Sequence, residues 1–196
     1  MVPVPIILAT SSPYRQEAFR FLDLDFVAES SDVDEYFDGR PDSPKELVLH
    51  LAKLKADTVA KHHDSGIIIG FDSVGCFEGQ ILEKPESKEE AFQRLKNLSG
   101  NTHQFYTGIH MKNLKSGKEI SKVVVTRVEM RSLTDSEIND YLNQDSRFDT
   151  YALGYDPLRH YSSTFVRTIE GSYNNLTRGI PLETIVEMLP AVGYDQ

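Results

Sequence analysis

The chain has 196 residues, of which 39% are hydrophobic, and a formal net charge of −9. This acidity argues against a surface that coats nucleic acid or binds an anionic membrane, so any phosphate must be held by a local site. The single cysteine, Cys76, cannot form an internal disulfide, and no apolar run approaches the roughly 20 residues that span a bilayer. Residues 1–12 also lack a basic region followed by a long apolar core. We therefore expect one domain over 1–196, in the cytoplasm.

Strand and helix patterns alternate along the chain. Apolar runs predict strands at 6–10, 25–30 and 66–71, and leucines at helical spacing predict a helix over 43–63. A hairpin is predicted around Glu78 and Gly79. The remaining predictions, in order, are a helix at 87–98, strands at 103–113 and 119–132, a helix at 133–144, an irregular stretch at 147–163, a strand at 164–170, a loop, and a helix from 181 to 189. The pattern is typical of an α/β domain with a mixed sheet.

The first strand runs into a serine-rich turn and then a helix. Ser11, Ser12 and the amides after them lie where a helix start exposes unpaired N–H groups, an arrangement that holds phosphate. Arg15, one turn into the helix, adds a fixed positive charge. The alternative is an ordinary cap, with Ser12 at the N-cap and Pro13 at the first helical position.

Acidic residues follow two other predicted elements. Asp72 comes after the buried strand at 66–71, so we expect it at the carboxyl edge of the sheet, where it could ligate a divalent metal or activate water. The alternative is a turn aspartate that accepts backbone hydrogen bonds. Glu35 lies between two predicted elements in an acidic loop, which is a second metal candidate or simply a solvated surface.

Two lysines are candidates for phosphate contacts. Lys84 precedes Pro85, which holds it extended after the hairpin. Lys55 lies on the apolar helix, one turn after Leu51, on a half-buried face. Together with the serines, Arg15 and the acids, these lysines would complete a site for a phosphate ester or anhydride.

Seven short motifs occur in an order that resembles the Maf family of nucleoside triphosphate pyrophosphatases, over essentially the whole chain. They are LATSSPYR at 8–15, VDE at 33–35, LAKLKA at 51–56, GFD at 70–72, KP at 84–85, TG at 107–108 and GIP at 179–181. The resemblance implies an elongated mixed β-sheet flanked by helices, in two lobes with a central cleft that holds the site, similar to the inosine-triphosphate pyrophosphatases. It also implies a homodimer, although no exposed apolar stripe in the sequence indicates one.

The resemblance assigns a role to each matching residue. Asp72 corresponds to the catalytic acid that activates or orients water, and Glu35 to the residue that shares its Mg²⁺ or Mn²⁺ ion. Lys55 and Lys84 correspond to lysines that contact phosphate, and Ser12 and Arg15 to the loop that grips the triphosphate. The implied reaction is attack of water at the α-phosphorus, with pyrophosphate leaving.

The positions that divide the family by substrate give a mixed result. Tyr14 resembles the branch that acts on 7-methyl-GTP, as do the FYTG run at 105–108 and the spacing from Asn175 to Gly179. Ser73 matches neither this branch nor the one that acts on dTTP and UTP, though its hydroxyl is nearer the threonine of the latter. Arg159 falls where a base-reading glutamine or glutamate is expected, and there it would repel a cationic methylated guanine. The alternatives are that Arg159 turns outward, or that it faces a phosphate or an acceptor-rich base edge.

The sequence therefore predicts a pyrophosphatase for modified or non-canonical nucleotides, with 7-methyl-GTP as one candidate substrate. Because the stretch at 150–161 departs from the family, with Ala152 where other members carry a lysine, a degenerate member that binds nucleotides without turnover is the alternative. An unrelated binding module that shares only a phosphate loop is the third.

Overall fold

A computed structural model describes residues 4–194 of the chain. They divide into two compact units. The first unit contains residues 4–72, 107–124 and 178–194, and the second contains 73–106 and 125–177. The single domain predicted over 1–196 stays a prediction, and residues 1–3, 195 and 196 lie outside the described residues.

The described residues form a mixed α/β fold in which helices flank one seven-stranded sheet. The strands are β1 (Ile6–Ala9), β2 (Phe26–Glu29), β3 (Ile67–Phe77), β4 (Gln80–Leu82), β5 (Thr102–Asn113), β6 (Glu119–Met130) and β7 (Val166–Glu170). The helices are α1 (Pro13–Phe19), α2 (Pro44–Ala60), α3 (Lys88–Leu98), α4 (Asp135–Gln144), α5 (Tyr173–Arg178) and α6 (Leu182–Met188). The strand order is β2-β1-β3-β5-β6-β7, and β4 pairs with β3. Between residues 4 and 194, none of the helices has the length and apolar character needed to cross a membrane.

In the first unit, β1 pairs in parallel with β2 on one side and β3 on the other. The residues of β1 and the start of β3 are apolar on both faces because both faces are covered, as is typical of parallel strands. Phe19, Phe71 and residues from α6 pack in the main core of this unit, and a smaller core includes residues from α2. The last register pair of β1 and β3 joins Ala9 to Gly70.

Two glycines bring the backbone of α2 into contact with the sheet. A Cβ atom added to Gly70 would lie 2.1 Å from the carbonyl oxygen of Ala52, and one added to Gly108 would lie 2.1 Å from that of Val48. Real Cβ atoms do not approach oxygen so closely, so only glycine fits at either strand position. The absence of a side chain at Gly70 and at Gly108 therefore sets the distance between α2 and the sheet.

The second unit has its own core. A cluster of aromatic and aliphatic side chains joins α3 and α4 to the adjacent strands, with Tyr141 and Phe165 in edge-to-face contact. Thr134 begins α4 with a capping box in which Thr134 and Glu137 each accept a backbone N–H from the other's position. β3 and β4 form the predicted hairpin, and β7 runs antiparallel to β6.

Most predicted elements are confirmed to within a few residues, but two predictions are wrong. β3 is not interrupted at Asp72 and Ser73 but runs through them into the first arm of the predicted hairpin, which pairs with β4. Asp72 therefore lies inside a strand, although two residues beyond the end of its pairing with β1. The predicted loop after β7 contains the helix α5, which begins where the Ser172 hydroxyl accepts the Asn175 N–H at 2.9 Å. Adjacent asparagines, which have low helix propensity, hide this helix in the sequence.

We predict that Gly70→Ala destabilises the protein by about 2–3 kcal/mol or more, because the new methyl group must displace the α2 backbone. The free energy of unfolding in urea measures this. Gly39→Ala is the control, since Gly39 has a positive φ of 80° but no atom within 4 Å of an added Cβ, so it should lose only about 1 kcal/mol. Equal losses in the two variants would contradict the close approach.

A buried histidine predicts pH-dependent stability. Burial lowers the pKa of His103 to about 4, and its Nε2 lies 3.2 Å from the Tyr155 hydroxyl. The unfolded chain takes up the proton near pH 6.5 while the folded protein does not, so stability falls as the pH drops from 6.5 towards 4.

The expected loss from this histidine between pH 7.5 and 5 is about 2 kcal/mol. Urea unfolding at both pH values gives the change in the free energy of unfolding for wild type and for His103→Gln. The difference between these two changes is the contribution of His103. Equal changes in the two proteins would show that His103 is protonated in the folded protein.

Candidate active site

One ammonium group joins the two acids that the sequence singles out. Lys55 Nζ donates to Glu35 Oε1 at 2.6 Å and to Asp72 Oδ1 at 2.7 Å. Lys55 and Asp72 are largely buried, with 12% and 8% of their side chains exposed, whereas Glu35 is 48% exposed. All three residues belong to the first unit. The structure thus brings together three of the predicted site residues.

Each member of this cluster comes from a different element. Lys55 lies on α2, which begins at the Ser43 N-cap and is held against the sheet at Gly70. Asp72 follows Gly70 by two residues on β3, so the contact between helix and strand also brings Lys55 to Asp72. Glu35 lies in the loop between β2 and α2, where Asp34 accepts the backbone N–H of Tyr36 at 2.9 Å.

Burial raises the pKa of the Asp72 carboxyl, while Lys55 and then Arg15 act in the opposite direction and Glu35 adds to the rise. A carboxylate taken out of water in this way is a stronger base than a free aspartate, provided that nearby cations keep it ionised. Lys55 is the closest such cation. The cluster can therefore accept a proton from a bound water molecule.

Arg15 is a second cation that acts on Asp72. Its Nε donates to the Gly179 carbonyl oxygen at 2.8 Å and its Nη1 to that of Phe71 at 3.5 Å, next to Asp72 in the chain. Burial lowers the pKa of the Arg15 guanidinium, and the charges of Asp72 and Glu35 oppose this, so it stays protonated at neutral pH. The contact with Gly179 joins the first and last predicted motifs, a pairing that the sequence cannot reveal because 164 residues separate them.

The serine turn takes the form of a helix cap. The Ser12 hydroxyl accepts the Arg15 N–H at 3.4 Å, and the Ser12 N–H donates to the Thr10 hydroxyl at 3.2 Å. Ser11 is exposed, and Tyr14 is half-buried. The cap agrees with the alternative reading of this turn, and the role of Ser11, Ser12 and Tyr14 in substrate binding stays a prediction.

The other predicted site residues belong to the second unit. Lys84 is exposed beside buried Pro85, and Ser73 is half-buried on β3. Arg159 is 45% exposed, and its Nε lies 3.2 Å from Asp156 Oδ2. This ion pair reduces the charge that Arg159 would present to a base. The roles of Lys84, Ser73 and Arg159 stay predictions.

The donors of the cluster suit a hard divalent cation. Within residues 4–194, no three side chains of His, Cys, Asp or Glu are grouped so as to hold a metal by themselves. Glu35 and Asp72 nevertheless converge on a single cationic atom. Two carboxylates with further oxygens from water and substrate phosphates are a common way for proteins to bind Mg²⁺. The residues present therefore fit such an ion.

An α/β protein with paired carboxylates and fixed cations at one strand is suited to the chemistry of phosphate anhydrides. Residues 5–192 match the family described as Maf: Maf-like protein. The chain therefore belongs to the Maf family, as its seven motifs indicated.

Curated relatives extend this match over nearly the whole chain. A dTTP/UTP pyrophosphatase of Clostridium botulinum (strain Hall) is 36% identical over 193 residues, which cover 97% of this chain and 98% of the relative. One of Carboxydothermus hydrogenoformans is 37% identical and covers 96% and 99%. One of Clostridioides difficile (strain 630) is 34% identical and covers 94% and 93%.

Among solved structures, the Staphylococcus aureus Ham1 protein aligns with a TM-score of 0.46 at 21% identity, over 64% of this chain and 71% of that one. A nucleoside-triphosphatase, or dITP/XTP pyrophosphatase, from Mycobacterium abscessus aligns with a TM-score of 0.45 at 13% identity, over 95% and 94%.

We predict that Lys55→Met lowers the free energy of unfolding by about 2–4 kcal/mol, because it leaves the Asp72 carboxylate buried without its nearest cation. Lys53→Met is the matched control on the same helix. Lys53 is 47% exposed and pairs with Asp57 at 3.0 Å. An exposed pair of this kind contributes less than about 1 kcal/mol.

Urea unfolding at pH 7.5 compares the two lysine variants. Adding Asp72→Asn to Lys55→Met should recover part of the loss, since the buried charge is then gone. Similar losses for Lys53→Met and Lys55→Met would show that the ion pair of Lys55 with Asp72 has no special weight.

Proposed function

We propose that this protein hydrolyses nucleoside triphosphates to the monophosphate and pyrophosphate. The observation that carries the proposal is the ammonium of Lys55 between the carboxylates of Glu35 and Asp72, with Arg15 held beside the same strand. Support also comes from the family match and from relatives named dTTP/UTP pyrophosphatase, whose alignments with this chain cover nearly their whole length.

In the proposed reaction, water attacks the α-phosphorus and gives one proton to Asp72. The bond between the α-phosphorus and the oxygen that bridges to the β-phosphorus breaks, and pyrophosphate leaves with the electron pair of that bond. Asp72 suits the role of base because burial raises its pKa. Arg15 and Lys55 would stabilise the negative charge on the phosphate oxygens as the bridge breaks.

We propose that Glu35 and Asp72 hold Mg²⁺ or Mn²⁺ together with the substrate. A divalent ion at this place lowers the pKa of bound water and offsets charge on the phosphates. Lys55 and Arg15 together offset the charge of the two carboxylates, and both would be available as cations for phosphate oxygens. Lys84 is the further phosphate contact predicted by the sequence.

The base preference has two candidates. The names of the relatives favour dTTP and UTP, and their identity of 34–37% spans almost the whole chain. Tyr14 favours 7-methyl-GTP, because it matches the branch of the family that acts on this nucleotide. The ion pair of Arg159 with Asp156 weakens the argument that Arg159 excludes a cationic base. We therefore propose dTTP and UTP as the first substrates and 7-methyl-GTP as the second candidate.

The test is pyrophosphate release from a panel of canonical and modified nucleoside triphosphates, with Mg²⁺ and with Mn²⁺. We expect turnover by wild type, and a loss of about a hundredfold or more in Asp72→Asn, because the base and a proposed metal ligand are removed together. Asp57→Asn is the control. Asp57 pairs with Lys53 and Lys112 elsewhere in the same unit, and its loss should change the rate by less than about threefold.

Each outcome of the panel has a distinct meaning. Release of orthophosphate instead of pyrophosphate would overturn the proposed point of attack. Nucleotide binding measured by calorimetry, without release of either product, would identify a binding protein that has lost turnover. An active Asp72→Asn variant would remove Asp72 from the role of base.

A further inference from the structure

We propose that Arg94 and Glu90, paired on α3, are positioning residues that fix the turn carrying Lys84. This inference rests on the proposed function, in which Lys84 contacts the phosphates of the substrate. Neither Arg94 nor Glu90 belongs to any of the motifs that the sequence analysis singled out. All of the residues involved belong to the second unit.

The turn from Glu83 to Glu86 is held at both ends by the same helix. Arg94 Nη1 donates to the carbonyl oxygen of Glu83, the residue directly before Lys84. Glu90 Oε2 accepts the backbone N–H of Glu86 at 2.8 Å. Arg94 Nη2 donates to Glu90 Oε1 at 2.8 Å, which joins the two anchors. Lys84 is thereby presented from a segment with a fixed beginning and a fixed end.

The middle of the turn is restrained as well. Pro85 is buried, and a proline restricts the residue before it to extended conformations, so Lys84 has little backbone freedom. The Lys84 side chain itself is exposed. These contacts therefore fix the backbone at Lys84 and leave its ammonium open to a ligand, as a phosphate contact requires.

The same guanidinium also contacts the segment after α4. Arg94 Nη1 donates to the Ala152 carbonyl oxygen at 2.7 Å, and Arg94 Cδ lies 3.7 Å from the position of a Cβ on Gly154. Only 10% of the Arg94 side chain is exposed, and burial lowers the pKa of its guanidinium. A cation is thus held inside the unit by two carbonyls and one carboxylate, which needs the planar donor set of arginine rather than the single ammonium of lysine.

Arg94 would make the same contacts if it only stabilised the fold. Positioning of Lys84 and general stabilisation differ in the effect of removing Arg94 from a protein that lacks Lys84. If Arg94 acts through Lys84, its removal lowers activity only in a protein that has Lys84. If it acts through general stability, the loss is the same with and without Lys84.

The experiment is a double-mutant cycle with Arg94→Met and Lys84→Met, measured as kcat/KM for the best nucleotide of the panel well below the melting temperature. We expect Arg94→Met to lower kcat/KM by about tenfold or more in wild type, and by less than about twofold in the Lys84→Met background. Arg94→Lys should recover less than half of the loss on a logarithmic scale, because lysine cannot reach all three acceptors.

Lys96→Met is the matched control. Lys96 lies on the same helix and pairs with Asp135 at 3.0 Å, away from the turn, so its loss should change kcat/KM by less than about twofold. Glu90→Ala is the second variant for the case in which Arg94→Met does not fold. Glu90 is 44% exposed, and its removal frees the other end of the turn.

Hydrogen exchange tests, without reference to activity, whether Arg94 and Glu90 fix the turn. The Glu86 amide should exchange at least about tenfold faster in Arg94→Met and in Glu90→Ala than in wild type, with no change in the amides of β7. If wild type releases no pyrophosphate, the proposed function fails. Exchange of the Glu86 amide then decides by itself whether Arg94 and Glu90 fix the turn. Unchanged Glu86 exchange, or equal activity losses in both backgrounds of the cycle, would overturn the inference.

Discussion

The contact between the backbone of α2 and the sheet is the constraint on which the candidate site depends. It exists because Gly70 and Gly108 have no Cβ atom to hold the helix away. Lys55 lies one turn beyond Ala52, whose carbonyl covers Gly70, and Asp72 lies two residues beyond Gly70. A helix displaced by the width of a methyl group would lengthen the 2.7 Å contact between Lys55 and Asp72. Packing and electrostatics are thus set by the same two glycines.

The charges of the cluster are not the arrangement that would give maximal folding stability. Ionising a buried carboxylate costs folding free energy, and Lys55 offsets part of that cost. An apolar pair of similar volume would often be at least as stable at this place. The protein instead keeps two carboxylates and two cations close together, and the proposed function supplies a reason, since phosphate oxygens and a divalent ion would take the place of these internal partners.

The sequence predicts much of the fold, because buried parallel strands and capped helices leave local patterns. The strand at β1, the cap at Ser12 and the apolar face of α2 are each visible in a few residues. The continuity of β3 through Asp72 and Ser73 is not, since two successive polar residues of this kind are typical of a turn. For the site, the motifs singled out Lys55, Glu35 and Asp72, and the structure brings these three side chains into contact. Arg94 and Glu90 could not be found in this way, because their partners are main-chain atoms of Glu83, Ala152 and Glu86, which any residue type supplies.

The hydrogen bond from Arg15 to the carbonyl of Gly179 has a consequence for the synthesis of the chain. The first unit is assembled from three separate segments, and the last of them begins at residue 178. A chain that emerges from the ribosome from its N-terminus has β1, α1 and α2 long before it has Gly179 or the α6 residues of the same core. The second unit, whose segments lie earlier, can become compact first. The loop closed by Arg15 and Gly179 spans 164 residues, and closures of this length slow folding. The face of β1 that packs near α2 can be covered early, whereas the core shared with α6 closes only after the residues of α6 have been made.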